Sequence, residues 1–389
     1  MTQQNIKMIA KTLFGMEGIL LQELQELGAE NLEVLNRAVS FTGNLEMLYR
    51  ANYHLRTAIR VITPIRQFKA INEQALYKGI QSINWDEYLG YKNTLAIDST
   101  VQSDTFQHSL FVSQKCKDAI VDQFRDKYGV RPDVDTKRPD LRVNVHIRGQ
   151  DVNVSLDSSG ESLHLRGYRK SLTEAPLSEV LAAGMILLSG WDRNSNFVDF
   201  MCGSGTLLTE AGLMACNIAP GKFRRHFGFQ SWKNYDADLL EAIRKEASEK
   251  EKHTLDFRIC GCDYSPGAIR TASGNIQGAG LEDKIEVEIS DFTKYVPPAG
   301  DGMLMVNPPY GERLKPDDLA NLYKKIGDTL KSQYAGYTAW ILTSSEEGFK
   351  SVGLRPSRKI TLQNGPLECK FLKYELYRGS KKAKYNQLQ

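Results

Sequence analysis

Apolar residues recur at helical spacing in EGILLQELQELG and again in LEMLYRANYHL, while KMIAKTLF and NLEVLNRAVSFTG read as strands. Gly28 supplies the stop signal of the first helix. Strand, helix, strand and helix in this order predict a small α+β unit over residues 1–59. A second set follows: a helix over YKGIQSINWDEYL, strands at TLAIDSTV, LRVNVHIR and DVNVSLDSS, and between them the amphipathic helix SLFVSQKCKDAIVDQFRDKYG, closed by Gly129. These predict a separate α+β domain over 60–158. The stretch SGESLHLRGYRKSLTEAP is polar, glycine-bearing and basic, as expected of a linker, here 159–175. From Pro176, in the first turn of a helix over LSEVLAAGMILLSGW, the pattern becomes strand, turn and helix in repetition. The strands NFVDF, RICGCD, KIEVEIS, GMLMV and TAWILT are mostly apolar, as strands covered on both faces must be. A doubly wound α/β domain with a parallel sheet is expected over 176–389.

Composition adds limits. A chain of 389 residues with 41% hydrophobic and 25% charged residues is expected to fold as two or three globular domains. Apolar runs such as VLAAGMILL fall short of the roughly 20 residues that span a bilayer. The N-terminal stretch lacks an apolar core followed by a small-residue cleavage site, so a cytoplasmic location without membrane attachment is expected. Six dispersed cysteines and six dispersed histidines have no zinc spacing, and no metal is expected. Net charge is +3, and residues 1–158 carry 19 Lys and Arg against 19 Asp and Glu. The excess therefore lies in the second part, clumped at Arg166, Arg169 and Lys170, at Lys222, Arg224 and Arg225, and at Arg378, Lys381, Lys382 and Lys384. Local patches of this kind leave nucleic-acid binding open.

Candidate chemistry gathers at the strand ends, where doubly wound sheets bind ligands. The first strand ends in DFMCGSGT, with Asp199, Cys202 and the glycines 203 and 205 before Thr206; glycines there let the backbone turn sharply and approach a ligand closely. The spacing is neither that of a dinucleotide fingerprint nor that of a phosphate-binding loop. The second strand ends at Asp263, a potential acceptor for ribose hydroxyls. The third is followed by Asp291 and Phe292, suited to an adenine amine and an adenine face. The fourth runs into Asn307, Pro308, Pro309 and Tyr310, which set two acceptors, the Asn307 side-chain oxygen and the Pro308 carbonyl, beside an aromatic ring. Together these ends predict an adenosine cofactor next to a turn that holds a planar NH2 group.

The motifs DFMCGSGTLL, CDYSPGAI, SDF and MVNPPYGERL resemble those of class I S-adenosylmethionine-dependent methyltransferases acting on exocyclic amines. The stretches HLRGYRKSLTEAPLSEVLAAGMILLSGW and MACNIAPGKFRRHFGFQSW are similar to the RlmL group, large-subunit ribosomal RNA guanine-N2 methyltransferases with an N-terminal ferredoxin-like segment and a THUMP domain. The resemblance covers essentially the whole chain, with the N-terminal part carried by layout more than by motif, and the chain has room for one catalytic domain. It implies S-adenosyl-L-methionine as cofactor and ribosomal RNA, before or during subunit assembly, as partner. Gly203, Gly205 and Thr206 would line the methionine end, Asp263 the ribose and Asp291 the adenine, with Pro176 and Ser178 closing the pocket. Asn307 and its neighbours through Tyr310 would be catalytic. The basic linker residues Arg166, Tyr168 and Arg169 are expected to contact RNA phosphates. Two departures bear on cofactor contacts: Phe200 stands where the family usually has proline, and Ser265-Pro266 follow Asp263 where a second acidic residue is common. Asn-Pro-Pro-Tyr turns also serve adenine methylation in DNA and glutamine methylation in proteins, and a silent RNA-binding relative would keep the same fold; the α+β N-terminal segments fit the DNA and protein enzymes poorly.

Overall fold

Two β-sheets carry the chain, and the computed structural model describes residues 5–170, 177–309 and 316–377 of it. The first sheet contains β1 (Ile6–Thr12), β2 (Glu30–Leu35), β3 (Ala38–Gly43), β4 (Ala58–Lys69), β5 (Thr94–Gln102), β6 (Asp133–Val134), β7 (Leu141–Arg148) and β8 (Asp151–Asp157), in the order β2-β3-β1-β4-β8-β7-β5-β6. Four helices accompany it: α1 (Glu17–Glu26), α2 (Leu45–His54), α3 (Glu73–Gln81) and α4 (Ser109–Tyr128). Local chemistry sets their ends. Asn44 and Asn72 each accept a hydrogen bond from the backbone N–H three residues on, and so cap α2 and α3. Gly129, at φ 72°, ends α4 in a left-handed turn.

Three expectations need correction. NLEVLNRAVSFTG is not one strand but the hairpin β2–β3, turned at Arg37 with φ 56°. The helix expected over 77–89 starts earlier, at its Asn72 cap, and stops at Gln81, leaving only a single 3-10 turn at Trp85–Glu87. Strand β4 had no counterpart in the sequence reading, because Pro64 interrupts its pattern. The sheet tolerates that proline at an irregularity, where the pairing with β8 shifts between Pro64 and Arg66. Through β4 the strands of the first 59 residues and those of 60–158 form one continuous sheet.

The second sheet contains β9 (Asn196–Asp199), β10 (Ile259–Asp263), β11 (Ile285–Ile289), β12 (Gly302–Val306), β13 (Thr338–Thr343), β14 (Arg358–Asn364) and β15 (Leu367–Glu375). Its order is β11-β10-β9-β12-β13-β15-β14. The first five strands in this order are parallel, as expected. The hairpin β14–β15 corrects the all-parallel reading, since β15 runs antiparallel to both β13 and β14. The associated helices are α5 (Glu179–Ser189), α6 (Thr206–Ala215), α7 (Ala237–Glu249), α8 (Pro266–Gly278), α9 (Pro316–Gln333) and α10 (Glu346–Ser351). Strand residues alternate between two cores. Phe197, Ile259, Met303 and Met305 pack in one core with residues of α5, α6 and α8, while Val198, Cys260, Leu304 and Val306 pack in the other with Tyr323, Ile326 and Leu330 of α9. Helices thus cover both faces, the doubly wound arrangement.

Packing divides the chain into two compact units whose boundaries cross the linear order. One takes the chain up to Thr12, residues 20–165 and residues 224–246; the other takes 13–19, 166–223 and everything from 247 on. In the first, Phe229 stacks on Tyr49 with centroids 4.1 Å apart. There too Arg224 donates hydrogen bonds to the carbonyls of Ser159, Glu161, Ser162 and Leu165. In the second, Met16 is fully buried in the α5–α6–α8 core. It packs so closely on α5 that a Cβ added to Gly184 would come within 2.3 Å of its sulfur.

Candidate active site

Strand order decides where the site forms. From β9 the chain continues to β10 on one side of the sheet, and β12 lies on the other, so the crevice at the carboxyl ends of β9 and β12 is the topological switch point of the sheet. Asp199, Asp263, the turn after β11 and Asn307 stand at four adjacent strand ends around it.

The turn after β9 is built to leave space. Gly203 and Gly205 have φ of 53° and 74°, a region that disfavours side chains. A Cβ on Gly203 would meet nothing within 4 Å, whereas one on Gly205 would sit 3.1 Å from the Ala272 Cβ of α8. The first glycine therefore faces open space and the second allows helix packing. Two cross-strand bonds hold the turn: Cys202 N–H donates to the Cys262 carbonyl at 3.0 Å, and Gly203 N–H donates to Asp263 Oδ2 at 3.0 Å. The other oxygen of Asp263 accepts from Ser265 N–H at 2.9 Å. Ser265 in turn caps α8, with Pro266 in its first turn. The two residues that depart from the family pattern thus start a helix and orient the carboxylate beside it.

Burial shapes the ionisation of the groups beside the glycine turn. Asp199 is 2% exposed, and desolvation pushes its carboxyl up to about 8, with the charge of Asp263 adding to the effect and a hydrogen bond from Met201 N–H opposing it. Burial also raises the Cys202 thiol, helped by the charges of Asp199 and Asp263, so it is a neutral thiol. Asp291 is exposed and lies below the usual carboxylate range because Thr293 donates to it from both backbone and hydroxyl. Phe292 stacks on the buried Phe200, centroids 5.2 Å apart, which gives the unusual Phe200 a role as its support.

At the end of β12, the side-chain oxygen of Asn307 is buried and has no hydrogen-bond partner among the described residues. Pro308 is buried and Pro309 half-buried. Such an acceptor is costly to leave unmade and suits a site that is completed by a donor from outside. Tyr310 and Pro176 lie outside the described residues. Ser178 stands at the N-cap of α5 without a side-chain capping bond.

The expected phosphate contacts of the linker are corrected. Arg166 is 1% exposed and pairs at 3.6 Å with the fully buried Glu210, to which the buried Tyr168 hydroxyl also donates. Arg169 is likewise folded inward: it donates to Glu179, to the Leu177 carbonyl and to the Thr206 hydroxyl. Charge clumping in the sequence was a true signal, but the cations answer buried carboxylates of α5 and α6, which no local pattern reveals. Two further residues at the site escaped the sequence reading. Asn275 of α8 donates to the Ser204 carbonyl and accepts from Lys170 N–H, bracing the glycine turn from behind. Tyr264 directly follows Asp263 and is 83% exposed, an aromatic placement that its adjacency to the acidic strand end could have flagged.

A family model described as RMKL-like, methyltransferase domain matches residues 166–373. The chain belongs to the RMKL-like methyltransferase family. Models for the THUMP domain and the RlmL ferredoxin-like domain match residues 70–157 and 7–62 of this methyltransferase. It is 42% identical, over 93% of its length and 95% of the other, to a Synechocystis protein provisionally named an RNA methyltransferase. It is 40% identical, over 93% of its length, to a Methylococcus capsulatus protein named ribosomal RNA large subunit methyltransferase K/L, of which it spans about half, 50%. The crystal structure of SMU.472, a provisionally assigned methyltransferase complexed with S-adenosylhomocysteine, superposes with a TM-score of 0.87 at 29% identity, covering 98% of this chain and all of that one. Among the described residues, no helix is long and apolar enough to cross a membrane.

Proposed function

We propose that this methyltransferase modifies the exocyclic N2 amine of guanine in large-subunit ribosomal RNA, with S-adenosyl-L-methionine as methyl donor. One observation carries the chemistry: the buried, unpartnered Asn307 oxygen at the switch point, across from a glycine turn that opens on free space. The donor supplies an electrophilic sulfonium methyl. Gly203, Gly205 and Thr206 would flank its methionine end, Asp263 its ribose hydroxyls, and Asp291 with Phe292 its adenine. An exocyclic purine amine is a weak nucleophile because its lone pair is delocalised into the ring. Asn307 and the Pro308 carbonyl hold its two hydrogens, so that the nitrogen pyramidalises and its lone pair is aimed, and positioning supplies much of the rate. Tyr310 stacks on the base once it has left its helix. No strong general base is required, since the proton can depart after methyl transfer.

The names of the relatives support ribosomal RNA as substrate, and the THUMP match supports RNA contact by the N-terminal part. We keep as proposals the functional division into 1–59, 60–158, a linker 159–175 and 176–389, and a cytoplasmic location. With Arg166 and Tyr168 buried and Arg169 bonded inward to Glu179, Leu177 and Thr206, phosphate contacts fall to exposed cations elsewhere. The test is to incubate the protein with methyl-labelled donor and protein-free large-subunit RNA, digest the RNA and separate the nucleosides. Label in N2-methylguanosine, lost in Asn307→Ala while donor binding persists, is the expected result. Label in N6-methyladenosine would refute the guanine assignment, and donor binding with no transfer to free or assembled RNA would make the chain a silent relative.

A further inference from the structure

Arg169 leaves the linker and enters the methyltransferase fold beside the glycine turn. Its guanidinium has five N–H donors in a fixed fork. Nε donates to Glu179 Oε1 at 2.6 Å, and Nη2 donates to the Leu177 carbonyl at 2.6 Å and to Thr206 Oγ1 at 3.0 Å. Nη1 is buried and has no hydrogen-bond partner among the described residues, although the side chain is only 11% exposed. A buried guanidinium nitrogen with both hydrogens unused is an expensive arrangement unless something completes it. What completes it must bring acceptor oxygens and tolerate a positive field.

The surroundings narrow the choice. Thr206 is the first residue of α6, so the backbone dipoles of that helix add positive potential where Arg169 meets it. Glu179 balances the charge of Arg169 on its Nε side, so the hydrogens left for an anion are those of the buried Nη1. An oxygen pair in a plane, as in a carboxylate, matches a guanidinium end better than a single carbonyl does. Resting on the cofactor reading above, we propose that Arg169 is a binding residue for the α-carboxylate of the methyl donor, and that it fixes the amino-acid end of the donor next to Gly203 and Thr206. The linker thereby serves the cofactor pocket and not the RNA.

The experiment is calorimetric titration of the full chain with S-adenosyl-L-methionine and with its decarboxylated form, which differ at this one group. Wild type should prefer the carboxylated ligand by about tenfold or more, the ratio expected of a charge-assisted bond. In Arg169→Met that ratio should fall close to one, and Arg169→Lys, which keeps the charge without the fork, should recover only part of it. Glu179→Gln, which removes the competing anion, should raise the ratio above that of wild type; a residue acting only as a brace would lower both affinities and leave the ratio alone. Equal affinities in wild type, or variants that weaken both ligands alike, overturn the proposal. If wild type binds neither form, the cofactor reading itself fails and the role of Arg169 falls with it.

Discussion

Replacing Asp263 with asparagine tests whether its carboxylate is a structural clasp as well as a candidate ribose acceptor. Its two oxygens accept from two different backbone donors, Gly203 N–H at 3.0 Å and Ser265 N–H at 2.9 Å. An asparagine has one oxygen for the two, so its amide must present a donor to a donor on one side. Bonds to a charged acceptor contribute about 1.5–3 kcal/mol each, and a neutral one about 1 kcal/mol. Asparagine should therefore keep about 1 kcal/mol of a total near 3–6 kcal/mol. Solvent reaching this half-buried site returns part of the difference, leaving a net loss of about 2 kcal/mol. Alanine loses both bonds but admits water to both donors, so the two variants should be nearly equal, an unusual outcome for a near-isosteric change. Hydrogen exchange of the amides in 200–206 reports the clasp locally, and calorimetry reports donor affinity, expected to drop roughly 10- to 100-fold through the loosened turn and the lost ribose acceptor. An asparagine variant with wild-type protection and affinity would refute the clasp and the ribose contact together.

Two further outcomes follow from buried groups. Because the folded carboxyl of Asp199 titrates at about 8 and an unfolded aspartate near 4, the native state holds a proton that the unfolded chain releases between those values. Stability should be highest below pH 4 as far as this group is concerned, fall through the window by up to about 1.4 kcal/mol per pH unit, and level off above 8. Asp199→Asn, which can still accept from Met201, should gain on wild type as pH rises from 5 to 8; parallel urea midpoints across that range would remove the buried acid from the account. Arg166→Met should cost about 3–5 kcal/mol by taking the guanidinium away from the buried Glu210 carboxylate, and Arg166→Met/Glu210→Leu should recover most of it. RNA retention in the double variant should show an unchanged salt slope, and a flatter slope would restore Arg166 as a phosphate contact.

The strand ends were legible because the features there are local. Asp199, Gly203, Gly205, Asp263 and Asn307 announce themselves by residue type and by the apolar run before each, and the parallel strands bring such ends to one side without further information. The pairings across the sheet were hidden. Nothing near Arg169 in the sequence mentions Thr206 or Glu179, so a basic stretch read as an exposed linker when its charges belong to buried partners. The hairpin β14–β15 was hidden in another way: an edge pair obeys no crossover rule, and its strands KITLQN and ECKFLKYE mix charges with apolar residues on a partly solvated edge. Strand β4 disappeared behind Pro64, a residue that argues against a strand until the irregularity that accommodates it is seen.

The crossing of the chain between its two units has a consequence for the order of synthesis. The first unit receives Arg224, Phe227 and Phe229 from a segment that ends at Glu246, some 80 residues after its own last contiguous residue, Leu165. On a ribosome adding roughly 5–20 residues per second, about 3–13 s pass after Leu165 before Arg224 and Phe229 are made, with Tyr49 lacking its stacking partner and the carbonyls of 159–165 lacking their arginine. The second unit already holds Met16 from the start of the chain but must wait for its final strands at the end. Neither unit can finish before the other is well under way, so the nascent chain matures as one object, and a fragment cut at the linker would be released with a half-built core on each side of the cut.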